Sequence, residues 1–406
     1  MRILHTSDWH LGKNLEGYSR MDEQESFLED FVEIVKSNDI DLVIIAGDVY
    51  DSPNPPARAE KMFYDTLKKL SSSGERIILI IAGNHDNPER LVAAGPLARD
   101  HGIVMVGTPK TSVDIGEYGN HKVIDYGEGF IEFEIYNENA VILTVPYPSE
   151  KRLNEVLYGS MDNEEERLKS YSDRIKMLFD KLSNKYRNDT INIAVSHLFA
   201  MGSEEAGSER NVMLGGSFIV DGSCFPSNAQ YIALGHIHKP QIVPGSNNKA
   251  RYAGSPIHYN KKEINFKKKC FIVDVKASEE CTIEEVELNV YKPIEIWKCH
   301  SIEDAIGKCQ ANCNKDCWVY LEIKTDRYIS EEEIKLMKSA KNDILEITPI
   351  IEGGDNENLD ISNLSDKSFR EIFEDFYLKE RNVKPQQEVV EMLLNILQEE
   401  EEYEAN

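Results

Sequence analysis

The sequence predicts a layered α/β fold that is followed by a small α+β module and a helical tail. In the first half, apolar strand-like runs alternate with segments in which apolar residues recur at helical spacing. Two of these runs, LVIIA and IILIIA, are apolar throughout, which indicates strands buried on both faces of a helix-covered sheet. At 406 residues, the chain is long enough for two or three domains.

The first predicted domain covers residues 1–280. It opens with a strand at 2–8 and a helix that carries four apolar side chains on one face, Leu28, Phe31, Val32 and Val35. A hairpin is expected at about 122–136. The remaining elements are strands at 41–48, 76–86, 103–107, 140–148, 191–199, 231–238 and 269–276, and helices at 57–70 and about 162–187. Strands and helices that alternate in this way predict a sheet covered by helices.

The second half has a different pattern. Strands and helices alternate at 294–297, 301–312, 318–323, 330–341 and 344–350, which predicts a small α+β domain over residues 290–351. A linker rich in Gly, Asp and Asn at 352–364 leads to a tail at 365–406. The tail has two amphipathic helices, whose apolar faces carry Phe369, Ile372, Phe373 and Phe376, then Val390, Leu393, Leu394 and Leu397. Such faces favour docking to a partner, or packing back on the chain's own domain.

Charge and cysteine content narrow the function classes. Residues 1–275 carry 31 basic and 40 acidic side chains, and residues 276–406 carry 15 and 32, which argues against simple electrostatic DNA binding. Seven cysteines without a CxxC pair favour reduced thiols, and no segment is typical of a signal peptide or a membrane span. We therefore expect a cytoplasmic protein without membrane association. Cys309, Cys313 and Cys317 are spaced like a helix face rather than a metal site.

One local stretch, NKKEINFKKK at 260–269, is basic. It holds five lysines, Lys261, Lys262, Lys267, Lys268 and Lys269. The stretch fits a strip that tracks DNA phosphates, and it equally fits a solvated edge-strand turn whose lysines block unwanted pairing.

Five polar motifs, SDWH, GDVYD, GNHD, SHLF and GHIH, each follow an apolar strand. They contain seven potential metal ligands, Asp8, His10, Asp48, Asn84, His197, His236 and His238. Ligands gather at the carboxyl ends of strands in layered α/β folds, so we expect the five loops to meet at one edge. Oxygen and imidazole ligands without thiolate suit manganese, iron or zinc. Seven donors fit two ions that share a carboxylate, an arrangement that stabilises displacement at phosphorus.

In this order, the motifs resemble those of the calcineurin-like metallophosphoesterase superfamily. The longer stretches HTSDWHLGKNLEGYSRMDEQ, GDVYDSPNPP, GNHDNPER, GHIHKPQ and YAGSPI are similar to its SbcD-type nuclease subunits, over most of residues 1–275. The resemblance implies a β-sandwich flanked by helices, with the small α+β module as a capping domain. It implies one metal ion held by Asp8, His10, Asp48 and His238, and a second held by Asp48, Asn84, His197 and His236, with Asp48 bridging.

The resemblance also implies roles for three further residues. His85 is expected to contact the scissile phosphate and help protonate the leaving oxygen, while Asp86 orients His85 by accepting a hydrogen bond. Asp51 is expected to act near the metal site, where archaeal relatives have a histidine. The segment IHYNKK after Pro256 departs from the Ser-Phe-x-Glu pattern of the family.

The function implied by the resemblance is a Mn²⁺-dependent DNA nuclease with two metal ions. It would act as a 3′→5′ exonuclease on duplex ends and an endonuclease on single strands and hairpins, with an SbcC-type ATPase bound through the tail. A homodimer within a heterotetramer is the implied assembly. Other possibilities are a different DNA repair exonuclease, a phosphatase or cyclic-nucleotide phosphodiesterase, and a non-catalytic DNA-end scaffold. The complete set of seven ligands favours an enzyme, and the module and tail disfavour a simple phosphatase.

Overall fold

Two β-sheets packed face to face form the centre of the first unit, residues 1–350. The computed structural model describes residues 1–149, 152–153, 170–209, 219–351 and 390. The interior between the sheets is filled by apolar side chains from both, among them Ile44, Leu79, Ile142 and Ile193. This arrangement confirms the predicted layered α/β fold, with a β-sandwich flanked by helices.

The first sheet has six strands. In spatial order they are Thr282–Glu287, Lys269–Asp274, Arg2–Thr6, Leu42–Ala46, Ile77–Ile81 and Ile103–Val106. The last four run parallel to one another, and Lys269–Asp274 is antiparallel to Arg2–Thr6. Every residue of Leu42–Ala46 and Ile77–Ile81 is buried, as the continuous apolar runs predict for strands covered on both faces.

The second sheet has eight strands. In spatial order they are Gln241–Ile242, Ala250–Tyr252, Tyr231–Gly235, Ile191–His197, Glu138–Val145, Phe130–Ile135, His121–Gly127 and Gly116–Tyr118. The hairpin predicted at about 122–136 is present. Tyr231–Gly235, Ile191–His197 and Glu138–Val145 are parallel neighbours, so their carboxyl ends lie on the same edge of the sheet.

Helices cover the outer faces of the sandwich. Among the described residues of the first domain, the α-helices are Met21–Ser37, Ala57–Ser71, Pro88–Val92, Gly95–Ala98 and Tyr171–Leu182. Met21–Ser37 and Ala57–Ser71 pack on the first sheet, and the predicted apolar face of Met21–Ser37 is buried there. Tyr171–Leu182 packs on the second sheet and lies within the helix predicted at about 162–187. Short paired strands are Asn14–Leu15 with Tyr18–Ser19, and Phe199–Ala200 with Ile219–Val220.

The predicted α+β module has the expected order of elements. Its strands are Ile294–Cys299, Trp318–Thr325 and Ile344–Ile351, and its helices are Ile302–Ala311 and Glu331–Ala340. The module packs on the hairpin Asn14–Ser19 through an apolar cluster that includes Leu15, Trp318 and Tyr320. The indole nitrogen of Trp318 donates a hydrogen bond to Glu23 at 2.8 Å, which ties the module to the first turn of the helix Met21–Ser37.

The strand Thr282–Glu287 lies beyond the expected end of the first domain at 280 and extends its sheet by one strand, while the domain limits themselves stay predictions. The tail at 365–406 and its linker lie outside the described residues except for Val390, which is helical and buried. The other seven apolar residues assigned to partner binding therefore also lie outside them, namely Phe369, Ile372, Phe373, Phe376, Leu393, Leu394 and Leu397.

Candidate metal centre

Five loops that follow strands of both sheets meet at one edge of the sandwich. Asp8 and His10 follow Arg2–Thr6, Asp48 follows Leu42–Ala46, and Asn84 follows Ile77–Ile81, all in the first sheet. The second sheet supplies His197 at the end of one strand, and His236 and His238 after the next. The imidazole Nδ1 of His197 donates to the carbonyl of Ala46 at 2.9 Å and so joins the two sheets. The structure therefore brings all seven predicted ligands together.

The first group of donors is formed by Asp8, His10 and His238. One ligand atom from each lies within 4.8 Å of the others, and all three side chains are buried. The Nε2 atoms of His10 and His238 face each other at 3.0 Å. Two imidazole nitrogens at this distance either share a single proton or both direct lone pairs at a cation between them. This is the donor set that a divalent ion needs.

The second group is formed around Asp48, Asn84, His197 and His236. The Oδ1 atom of Asn84 lies 2.9 Å from His197 Nε2 and 2.9 Å from His236 Nδ1, so three donor atoms converge. The Oδ2 atom of Asp48 lies 3.3 Å from His197 Nε2 and 3.6 Å from His10 Nε2. A single carboxylate oxygen therefore stands between the two groups, as expected for a bridging ligand.

The backbone at this edge adopts conformations that L-residues rarely accept. Asp8, His10, Asp48 and His236 have φ values of 53°, 46°, 51° and 104°. Strained backbone conformations persist only where the surrounding packing enforces them, and they cluster at functional sites. Gly83 supports the same packing, since a Cβ atom on it would lie 2.1 Å from Asp48 Oδ1.

Burial and mutual charge interactions shift the pKa values of the side chains in the two donor groups. Burial, with Asp48 beside it, raises the pKa of Asp8 to about 7, while burial and His197 lower the pKa of His236 to about 3. Burial by itself would raise the pKa of Asp48, but His197 holds it well below the usual range. Asn84 Nδ2 is buried without a hydrogen-bond partner. Imidazole nitrogens and buried carboxylates that face inward fit divalent cations, so the residues present are suited to a metal centre.

His85 and Asp51 lie beside the first donor group. His85 Nδ1 donates to the backbone carbonyl of Asp51 at 2.7 Å, and the His85 ring packs edge-on against His10 at 4.7 Å between centroids. The carboxylate of Asp51 accepts a hydrogen bond from Lys13 at 2.8 Å and lies 3.5 Å from His10 Nδ1. Because the Asp51 carbonyl can only accept, the proton of neutral His85 is on Nδ1, and Nε2 is the atom left for substrate.

The role expected for Asp86 is wrong. Its carboxylate accepts hydrogen bonds from the backbone amides of Gly83, Val49 and Tyr50 at 2.9, 3.2 and 3.0 Å, and the His85 ring is oriented by Asp51 instead. Burial, together with the charge of Asp48, raises the pKa of Asp86 to about 6. Asp86 thus clamps the loop that carries Asp48 to the loop that carries Asn84.

The lysine strip does not form as a continuous cationic surface. Lys268 is 1% exposed, so the prediction that it contacts DNA is wrong. Three of the others form ion pairs at the surface, Lys261 with Glu346, Lys267 with Glu287 and Lys269 with Glu285. Lys262 is exposed on the turn Lys261–Asn265. These pairs neutralise most of the charge that the sequence pattern suggested for DNA.

Sequence reasoning missed Lys13, Ser208 and Glu263. Lys13 follows His10 by three residues within the quoted DWHLGK motif, which was the available signal. Glu263 interrupts the run of lysines at 260–269 and is completely buried, and Ser208 lies in a loop without a recognisable motif. Of the three spaced cysteines, Cys309 lies buried in the helix Ile302–Ala311, while Cys313 follows that helix and Cys317 immediately precedes the strand Trp318–Thr325.

Among the described residues, no helix combines the length and apolar character needed to cross a membrane. A model of the calcineurin-like phosphoesterase family matches residues 1–240, and a model of the type 5 capsule protein repressor C-terminal domain matches residues 290–381. The first match lies within the sandwich, and the second begins at the small module and continues to residue 381.

Curated relatives extend this similarity to the whole chain. The SbcD subunit of the SbcCD nuclease of Bacillus subtilis is 37% identical over 410 residues, which cover 100% of both chains. The protein of the same name from Rhodobacter capsulatus is 30% identical over 66% of this chain and 64% of its own length. That of Escherichia coli K12 is 28% identical over 83% of this chain and 81% of its own.

Proposed function

We propose that this chain, which belongs to the calcineurin-like phosphoesterase family and is a metal-dependent nuclease of the SbcD type, cleaves DNA. It would do so with two Mn²⁺ ions held at the edge of the sandwich. The observation that carries this proposal is the position of Asp48 Oδ2 between two donor groups, 3.6 Å from His10 Nε2 and 3.3 Å from His197 Nε2. Asp8, His10, Asp48 and His238 would hold one ion, and Asp48, Asn84, His197 and His236 the other.

Ions held in this way would activate a water molecule and neutralise charge on the phosphate. The chain's own residues supply the remaining chemistry. His85 Nδ1 is committed to the Asp51 carbonyl, so a protonated His85 would donate from Nε2 to the 3′ oxygen as it leaves. Lys13 holds Asp51, and through Asp51 the ring of His85 keeps its orientation. Asp86 fixes the relative position of the Asp48 and Asn84 loops.

The substrate is proposed to be DNA, with 3′→5′ exonuclease action at duplex ends and endonuclease action on single strands and hairpins. The similarity to nuclease subunits over the full chain supports this choice over a phosphatase. Manganese is proposed because the resemblance to SbcD-type subunits implies it, and oxygen and imidazole donors without a thiolate suit it. All seven cysteines are free, which fits the reducing cytoplasm in which bacterial DNA lies.

The test is cleavage of labelled duplex and hairpin DNA with Mn²⁺, for the wild type and His85→Ala. We expect the variant to lose about 10²- to 10⁴-fold in rate while it still binds two Mn²⁺ ions per chain. His101→Ala is the matched control, because His101 is exposed and outside the centre. If the wild type leaves DNA intact but hydrolyses p-nitrophenyl phosphate esters, the nuclease proposal is wrong.

We further propose that the chain works with an SbcC-type ATPase, bound through the tail, as a homodimer within a heterotetramer. The matched relatives are named as subunits of an SbcCD nuclease. Because the net charge of this chain is −26 and disfavours binding to DNA phosphates, we expect a partner to supply part of the DNA-binding surface. Deleting residues 362–406 should abolish co-purification with the ATPase without changing metal content. Retained binding would place the partner elsewhere, and the mass of the purified complex tests the stoichiometry.

A further inference from the structure

The histidines of the metal centre differ in what their outward-facing nitrogen contacts. His197 Nδ1 donates to a backbone carbonyl, that of Ala46. His238 Nδ1 instead lies 2.5 Å from the hydroxyl of Ser208, which also bonds to the carboxylate of Glu263. His197 and His238, one from each donor group, are therefore held by different kinds of hydrogen-bond partner.

Behind Ser208 lies a buried ion pair. Glu263 accepts a hydrogen bond from the Lys268 ammonium at 2.5 Å, and the two side chains are 0% and 1% exposed. Lys268 donates also to the hydroxyl of Ser255 at 2.7 Å and to the backbone carbonyl of His238 at 3.1 Å. The pair thus reaches His238 at both ends, through Ser208 at the imidazole and through Lys268 at the main chain.

The proton positions in this chain of hydrogen bonds follow from its members. Glu263 is paired with a buried ammonium, so its carboxylate accepts hydrogen bonds. The single hydroxyl proton of Ser208 goes to Glu263, and Ser208 can then only accept from His238 Nδ1–H. With its proton on Nδ1, neutral His238 keeps a lone pair on Nε2, the atom that faces His10 Nε2 at 3.0 Å. A hydrogen bond at the outer nitrogen is the usual way in which a protein orients a metal-binding histidine.

We propose that Ser208, Glu263 and Lys268 are positioning residues for the ion held by Asp8, His10 and His238, and that they support this ion selectively. The proposal rests on the proposed function, because it needs a metal centre at these ligands. A charge pair this deep is costly unless every member is paired, and here each is. The other ion relies on His197, whose outer nitrogen is held by the main chain, so the loss of Ser208 should leave it bound.

The test is calorimetric titration of the full-length, metal-free protein with MnCl₂. In the wild type we expect two binding events, and in Ser208→Ala one of them weakened about 10- to 100-fold with the other unchanged. Ser208→Thr keeps the hydroxyl and should restore both events. Ser246→Ala is the matched control, since Ser246 is a buried serine whose hydroxyl bonds to the Val243 carbonyl and the Ala250 amide, away from the centre.

His238→Ala assigns the weakened event, because it should abolish the same event that Ser208→Ala weakens. Electron paramagnetic resonance of bound Mn²⁺ gives a second readout, with a coupled pair in the wild type and a single ion in Ser208→Ala at limiting metal. Two wild-type events in Ser208→Ala, or equal weakening of both, would overturn the inference. If Ser208→Ala does not fold, Ser208→Cys carries the same expectation. Fewer than two events in the wild type would instead contradict the proposed function.

Discussion

Among single residues, Asp86 is the one whose role differs most from the expectation. Its carboxylate satisfies three backbone amides that would otherwise be buried without an acceptor. Each such loss costs about 1–3 kcal/mol, so Asp86→Ala should lower the free energy of unfolding by about 3 kcal/mol or more and weaken Mn²⁺ binding with it. Denaturant unfolding of the metal-free protein measures this, with the exposed Asp100→Ala as control. Unchanged stability with lost cleavage would point to direct catalysis by Asp86.

His5 makes a prediction about pH, away from the metal ligands. Burial lowers the pKa of His5 to about 3, and its ring bonds to the hydroxyl of Tyr231 and the carbonyl of Leu234. A pKa below that of the unfolded chain means that the contribution of neutral His5 is present above about pH 6.5 and is lost as the pH falls towards 3. In His5→Gln the loss of stability between pH 6.5 and 4.5 should be smaller, by about 1.4 kcal/mol per pH unit.

The measurement is urea unfolding of the metal-free protein at several pH values, for the wild type and His5→Gln. Other buried histidines titrate in both proteins, so the difference between the two curves isolates His5. His101→Gln, at an exposed position, should follow the wild type. Parallel curves for wild type and His5→Gln would mean that His5 is not held neutral by burial.

Among the elements, the turn after Ile77–Ile81 depends on Gly83. A Cβ atom there would lie 2.1 Å from Asp48 Oδ1 and 2.3 Å from Asp48 N, so Gly83→Ala should displace the bridging carboxylate and abolish binding of at least one Mn²⁺ ion. Gly307→Ala is the control, because nothing lies within 4 Å of its Cβ position inside a helix. Gly307→Ala should raise the free energy of unfolding by about 0.5–1 kcal/mol. Wild-type metal binding by Gly83→Ala would show that the turn can shift.

The elements also show what sequence reasoning can reach. Leu42–Ala46 and Ile77–Ile81 are apolar throughout because both faces are covered, and their ligand loops follow directly, so strands and ligands could be predicted together. The strand Thr282–Glu287 could not, because it is an edge strand of mostly exposed residues, and its two apolar residues, Ile283 and Val286, are only partly buried. The partners of Asp86 and the depth of Lys268 depend on contacts between distant segments, which no local spacing encodes.

For the whole molecule, charge decides how the isolated chain should meet DNA. The net charge is −26, and Lys261, Lys267 and Lys269 are each paired with a glutamate while Lys268 is buried. Since each phosphate contacted by a free cation adds about −0.9 to the slope of log K against log salt, we expect a slope no steeper than about −2. The affinity of the chain for DNA should therefore depend mainly on the metal centre, and chelation of Mn²⁺ should abolish most of that affinity.

Fluorescence anisotropy of a labelled duplex, titrated with His85→Ala in Mn²⁺ between about 50 and 200 mM salt, measures this slope without cleavage, over the salt range in which phosphate contacts show most clearly. The double variant Lys267→Gln/Lys269→Gln removes two cations that are already paired, so its slope should differ from that of the parent by less than about one unit. A parent slope of about −5, or a slope that becomes shallower by about two units in the double variant, would mean that these lysines leave their glutamates to bind phosphate. In that case the lysine strip at 260–269 would be a DNA-binding surface, and the partner would contribute less to DNA binding.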